Sequence, residues 1–177
     1  VAERVYNLKQ QGTKFLRDTV DSLQELLDNV RIIEIHGGEP TLETKLWDVL
    51  ENLDLSDKEF ICYSNIIKLS DYHIEISNRF RAGRFVASID VADESISYIR
   101  HPAKWETVSQ NAMMLKKFKP EIEIQISMTF QIYNMFRVVN SIKWVVDNFK
   151  DCDNHNPKFS VIQKPAYLSP NLVDYKD

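Results

Sequence analysis

The sequence predicts an α/β fold of parallel strands, arranged either as an open, partial (β/α) barrel or as a doubly wound sheet. Three observations predict it. Short apolar or alternating stretches recur between longer stretches with helical spacing. The order reads helix, four strand–helix units and a last strand, a sequence of elements that demands parallel pairing through right-handed crossovers. Five such strands in 177 residues fall short of a closed eight-fold barrel, which takes about 250 residues.

The first helix is predicted from about Thr13 to Val30. Phe15, Leu16, Val20, Leu23, Leu26, Leu27 and Val30 fall on one stripe, with Thr13 as N-cap. A strand from Arg31 to His36 follows, then a helix over about Leu42 to Asn52 with Leu46, Leu50 and Leu53 on one side. Glu59 to Asn65, rich in aromatic and β-branched residues, is the next strand. Asp71 to Arg81 reads as a short helix, with Ala82-Gly83 as its stop, and Phe85 to Asp90 as another strand. Glu94 to Tyr98 begins a helix that His101-Pro102 interrupts. Lys104 to Phe118 resumes it, with Trp105, Val108, Ala112 and Leu115 inward. The clearest strand is Glu121 to Gln131, where Ile122, Ile124, Ile126, Met128 and Phe130 alternate with polar residues at period two. Asn134 is placed to cap a helix running to Phe149, with Phe136, Val139, Ile142, Val146 and Phe149 as its buried side. The last strand is Lys158 to Gln163, and Pro165 ends regular structure.

Composition narrows the function classes. Apolar residues at 44% and charged residues at 27% are a globular mixture. A formal charge of −4 argues against sequence-independent nucleic-acid binding, and Arg79, Arg81 and Arg84 read as a solvated helix end. No apolar run reaches the roughly 20 residues of a membrane span, and no signal peptide is evident. Cys62 and Cys152 make neither a disulfide framework nor a zinc set, so a reduced, cytoplasmic setting is expected. No metal site is assigned to this chain. Cys62 reads as a buried strand residue, and Cys152 with His155 as an incidental loop pair.

Chemistry is expected at the carboxyl ends of the strands, where both candidate architectures bind ligands. The organising stretch is Ile32 to Leu42, an apolar strand running into His36-Gly37-Gly38-Glu39-Pro40. Gly37 and Gly38 let a ligand approach the backbone where a Cβ would block it. Glu39 adds a negative charge suited to an ammonium, and Pro40 turns the chain into the next helix. An ordinary strand-to-helix turn uses the same residue types. Ser88 and Asp90, two apart on one strand, offer a hydroxyl and a carboxylate suited to the hydroxyls of a ribose; the other reading makes Asp90 a helix cap. Glu123, Gln125, Ser127 and Thr129 share one face of their strand. That face lines either a ligand-filled cavity or, on an edge strand, bulk water. Glu39 and Asp90 acting as acid and base of an ordinary α/β enzyme is a third, weaker reading.

Gly37-Gly38-Glu39-Pro40 after an apolar strand resembles the segment that holds the methionyl ammonium in radical S-adenosylmethionine (SAM) enzymes. Tyr63-Ser64-Asn65 is similar to that family's third-strand Thr-Asn stretch. Phe85 to Asp90 is similar to the fourth-strand Ser-Ile-Asp of SPASM- or twitch-bearing members. Ile99-Arg100 and Lys104-Trp105-Glu106-Thr107-Val108 sit where those members have an Arg and a Trp-Glu-x-Val helix. Thr129 and Asn134 match the fifth strand and the Asn beyond it. The resemblance covers about Thr13 to Leu168. It implies a partial TIM-like barrel over residues 1–164 with its first strand missing, and an exit segment, 165–177, toward a C-terminal extension. It implies SAM bound by Gly37, Gly38 and Glu39 at its methionine end, by Ser88 and Asp90 at the ribose, and by Thr129 or Asn134 at the adenosyl site. The implied reaction is reductive cleavage of SAM to a 5′-deoxyadenosyl radical that abstracts a substrate hydrogen. A reductant protein is the implied electron source, and a peptide is one implied substrate class. The chain departs from the family in one respect: no cysteine precedes Gly37, whereas the family holds a 4Fe–4S cluster with Cys-x-x-x-Cys-x-x-Cys after its first strand. The expected account is that this strand and loop lie upstream of Val1. The alternative is a cluster-less module that binds a nucleotide or a peptide without radical chemistry.

Overall fold

The computed structural model describes residues 22–172. The expected cap at Thr13 and the first half of the first helix lie outside them. Residues 22–27 are helical (α1). Then come β1 (Ile32–Ile35), a 3-10 turn (Pro40–Leu42), α2 (Thr44–Glu51), β2 (Glu59–Ser64), α3 (Asp71–Ser77), β3 (Ala82–Ser88), α4 (Ile96–Ile99), α5 (Trp105–Met114), β4 (Ile122–Phe130), α6 (Val138–Phe149) and β5 (Lys158–Val161). The strands form one parallel sheet in the order β1-β2-β3-β4-β5. That order decides between the two architectures. A doubly wound sheet reverses direction at a switch point, whereas here each new strand adds to the same side. Right-handed crossovers then put every helix on one face, as in a segment of a (β/α) barrel.

Burial alternates accordingly. Phe60, Cys62, Phe85, Ala87, Ile122, Ile124, Ile126 and Met128 are all 1% exposed or less and form the core against the helices. The opposite, inner face carries Glu34, Tyr63, Arg84, Val86, Ser88, Glu123, Gln125, Ser127 and Thr129, most of them polar.

Three expectations are corrected. Ala82-Gly83 opens β3 instead of stopping a helix. Gly83 is required by close approach, because a Cβ there would lie 2.4 Å from Phe60 Cδ1 and 2.5 Å from the Phe60 carbonyl oxygen. In α6 the buried residues are Ser141, Val145 and Phe149, while Phe136 is 79%, Val139 75% and Val146 51% exposed. Ser141 turns inward because its hydroxyl accepts the Ala92 amide at 3.0 Å, and Trp144 stacks edge-on against Trp105 at 5.0 Å. Asn134 precedes the turn Met135–Arg137 without capping it by its side chain, for a reason given below. The arginines are paired. Arg79 donates to the carbonyls of Leu50, Glu51 and Leu53 at the end of α2. Arg81 meets Glu59 and Arg84 meets Glu123.

Candidate functional site

The carboxyl ends of β1 to β4 are joined by one continuous hydrogen-bonded chain. At β1, Glu39 caps the Pro40–Leu42 turn. Its Oε1 accepts the Thr41 amide at 3.2 Å, the Thr41 hydroxyl at 2.6 Å and the Ser64 hydroxyl at 2.6 Å. Its Oε2 accepts the Asn65 amide at 2.6 Å, so the carboxylate ties the end of β1 to the end of β2. Arg100, just beyond α4, carries the chain onward. It donates through Nη1 to Asn65 Oδ1 and through Nε to Asp90 Oδ2, the latter at 2.7 Å. Asp90 lies past the end of β3 and is 6% exposed. Its Oδ1 accepts the Thr129 amide at 3.1 Å. Asn134, 1% exposed, closes the set. Its Nδ2 donates to the Asp90 carbonyl at 2.8 Å and the Thr129 carbonyl at 3.0 Å, and its Oδ1 accepts the Gln131 amide at 2.8 Å.

All seven residues singled out from the sequence therefore lie on one rim. They do not all present free groups there. Glu39 spends its carboxylate on four contacts within the chain. Asp90 braces β3 against β4 and Arg100 instead of capping the helix after it. Asn134 is covered and bonded through both ends of its amide, which is why it makes no helix cap. With every oxygen engaged, neither Glu39 nor Asp90 is set up as an unencumbered acid or base. The accessible groups are different ones. Gly37 has φ +134°, where an L side chain is strained, and nothing lies within 4 Å of a Cβ built on Gly37 or Gly38. The Ser88 hydroxyl is unpaired among the described residues. Thr129 Oγ1 is 3.2 Å from Ser160 Oγ. At the β1–β2 end, His36 stacks on Tyr63 at 4.8 Å and pairs with Glu34 at 2.9 Å.

Asn65 and Arg100 were not among the candidate residues, although both stand in segments that carry the resemblance. Nothing in their own chemistry marks them, because their roles rest on partners 10 to 35 positions away.

SAM fits the rim in two respects: the open space before the paired glycines, and the free Ser88 hydroxyl beside Ser127 in register. An iron–sulfur cluster does not fit the cysteines of this chain. Ligation takes several thiolates, and the chain has two cysteines. Cys62 faces the helices fully buried, and burial, aided by the Glu39 charge, pushes its thiol up to about 12. Cys152 follows α6 at the other end of the strands. No group of three or more His, Cys, Asp or Glu able to hold a metal occurs among the described residues. No helix among them is long and apolar enough to cross a membrane.

No family model and no curated protein matches the sequence. Solved structures do match the fold. Streptococcus suis SuiB, solved bound to precursor peptide SuiA, aligns with a TM-score of 0.60 at 17% identity over 87% of this chain. TYW1, solved with a lysine–pyruvate adduct bound, aligns with a TM-score of 0.55 at 18% identity over 90% of this chain. The chain spans 34% of the SuiB chain and 55% of the TYW1 chain. The fold is thus an open partial barrel of the kind seen in these two solved structures.

Proposed function

We propose that this chain is the SAM-binding core of a radical SAM enzyme, with a peptide as the substrate class. The observation that carries the reading is the rim: one hydrogen-bonded chain links Glu39, Asn65, Arg100, Asp90 and Thr129, along an edge where Gly37, Gly38 and the Ser88 hydroxyl stay open. In this reading the backbone of Gly37, Gly38 and Glu39 receives the methionyl ammonium, Ser88 meets the ribose, and Thr129 borders the adenosyl group. Glu39, Asp90, Asn134, Asn65 and Arg100 are positioning residues that hold those groups in place. SAM supplies the reactive adenosyl group when bound, and the protein orients it. The electron for its reductive cleavage belongs to a 4Fe–4S cluster that Cys62 and Cys152 do not hold, so the part assigned to these residues is binding and orientation. The peptide-bound SuiB structure supports the substrate class by likeness of fold.

Titration calorimetry with S-adenosylhomocysteine tests the reading. A side chain at Gly38 points into open space, so Gly38→Val is expected to leave the melting temperature unchanged and to weaken binding at least tenfold. Absence of binding by the parent chain, or equal binding by the variant, overturns it. A second reading, a cluster-less module that binds a nucleotide or peptide, is favoured specifically by the burial of Cys62. It predicts S-adenosylhomocysteine binding with no iron retained after anaerobic reconstitution of the intact protein.

A further inference from the structure

One edge of the sheet is an exposed strand whose charge is opposite to that of the chain. β5 pairs with β4 alone, and all four of its residues are exposed. Ile162 donates its amide to the Phe130 carbonyl at 2.9 Å. N–H and C=O groups alternate in direction from one strand residue to the next, so Phe159 and Val161 turn theirs to the open side. No described residue meets those groups, which form a template for another strand. The side chains alternate too. Phe159 and Val161 stand beside Met128 and Phe130 on the helix face, 41% and 53% exposed. Lys158 stands beside Ser127 on the inner face, and Lys164 lies just past the strand; both are exposed. Neither lysine has an ion pair among the described residues. Residues 154–172 contain no Asp or Glu, so this edge is cationic on a chain of net charge −4. The acids nearest along the chain, Asp151 and Asp153, lie in the loop after α6. Glu123, on the inner face of β4, is held by Arg84 and Asn156.

We propose that the open edge of β5 docks an acidic, extended peptide segment, which adds to the sheet as a further strand. Main-chain hydrogen bonds to Phe159 and Val161 supply affinity, and side chains two apart supply selectivity. On the helix face the incoming strand meets Phe159 and Val161, so apolar residues fit there. Its alternate residues, on the inner face, come beside Lys158, so carboxylates fit there. The preferred segment therefore alternates acidic and apolar residues. Lys158 and Lys164 are six positions apart, about 20 Å along an extended chain, which is the span of a six-residue segment. Lysines on an edge hinder indiscriminate pairing. Here they also select: two copies joined β5 to β5 bring four lysines together, whereas an acidic strand is attracted. The docked segment lies about 4.8 Å beyond β5 and about 10 Å from β4. Ser160 Oγ on β5 is itself 3.2 Å from Thr129 Oγ1 on the rim. The docking surface stands on the edge alone; its role, holding a peptide substrate beside the rim, rests on the SAM reading.

The test titrates the 177-residue chain with acetyl-Glu-Val-Glu-Val-Glu-Val-amide at low salt and follows the backbone amide resonances. The Phe159 and Val161 amides are expected to shift saturably, and the affinity to fall as salt is raised. The analogue with Lys in place of each Glu should bind at least tenfold more weakly. Lys158→Glu combined with Lys164→Glu should reverse that order. Val161→Pro removes an outward N–H and leaves the β4 ladder its donors. It should weaken the acidic peptide at least tenfold while S-adenosylhomocysteine affinity stays within twofold. Unmoved Phe159 and Val161 signals, equal binding of the two peptides, undiminished binding by Val161→Pro, or an order unchanged by the charge reversal overturns the proposal. So do shifts confined to Gly37 and Gly38, which would put the peptide in the cofactor site. Concentration-dependent shifts of Phe159 and Val161 without peptide overturn it as well, because the occupant is then a second copy. If Val161→Pro does not fold, the charge-reversed chain, altered only at exposed side chains, decides. If the parent chain fails to bind S-adenosylhomocysteine, the SAM reading falls. The peptide titration, which contains no S-adenosylhomocysteine, then decides the docking surface on its own.

Discussion

Asp90→Ala removes the acceptor that joins three elements. The carboxylate is nearly buried, with 7% of its side chain exposed, and it receives Arg100 Nε at 2.7 Å and the Thr129 amide at 3.1 Å. Removing one partner of a buried ion pair costs about 3–5 kcal/mol, because the other charge stays behind unpaired. The Arg100 side chain is 26% exposed, so water recovers part of its charge and the low end, about 3 kcal/mol, applies. The Thr129 amide also loses its acceptor, which adds about 1 kcal/mol. Asp90→Asn keeps an acceptor for that amide and loses only the charge, so about 2 kcal/mol is expected. Urea unfolding followed by circular dichroism reads these values. With a slope of about 2 kcal/mol per molar, Asp90→Ala lowers the midpoint by about 2 M and Asp90→Asn by about 1 M, at constant slope. Adding Arg100→Met to Asp90→Ala removes the orphaned charge and is expected to restore part of the loss. The bracing role is refuted if Asp90→Ala stays within about 1 kcal/mol of the parent, or if Asp90→Asn costs as much as Asp90→Ala.

Three further outcomes follow from the packing and the titrating groups. Gly83→Ala places a methyl against both the ring and the backbone of Phe60; the carbonyl cannot swing aside, so a loss of about 3 kcal/mol is expected in a thermal melt, with little rescue by Phe60→Leu. Cys62 keeps its proton in the folded chain up to about pH 12, whereas an unfolded thiol releases it near pH 8.5. Both states hold the proton below that range, so stability falls as the pH rises through it, and Cys62→Val should flatten this alkaline decline in urea midpoints. His155 has its titration pushed down by burial, and its Nε2 is buried without a hydrogen bond. The unfolded chain takes up a proton first as the pH falls below about 6.5, so stability drops on acidification and His155→Phe should remove part of that drop.

How much of this was legible in the sequence differs from element to element. The period-two run from Ile122 to Phe130 defined β4 and both of its faces, because strand alternation is a local rule that burial reinforces. Gly37-Gly38-Glu39-Pro40 marked the turn that opens the rim, because glycine and proline act on their own backbone. The buried thiol of Cys62 was readable from its apolar strand. Other features depended on partners far along the chain. The order of the strands, and with it the choice of a barrel segment over a doubly wound sheet, depends on which side each crossover returns to. Ala82-Gly83 looks like a helix stop until Phe60 is packed against it. The buried side of α6 is turned by Ser141 bonding Ala92, against the spacing of Phe136, Val139 and Val146. Local periodicity specified the elements and the face of β4 that holds Gln125. Only tertiary packing showed that Glu39, Asp90 and Asn134 spend their polar groups on one another through Asn65 and Arg100, because a side chain's partner is set by distance in space and not by separation along the chain.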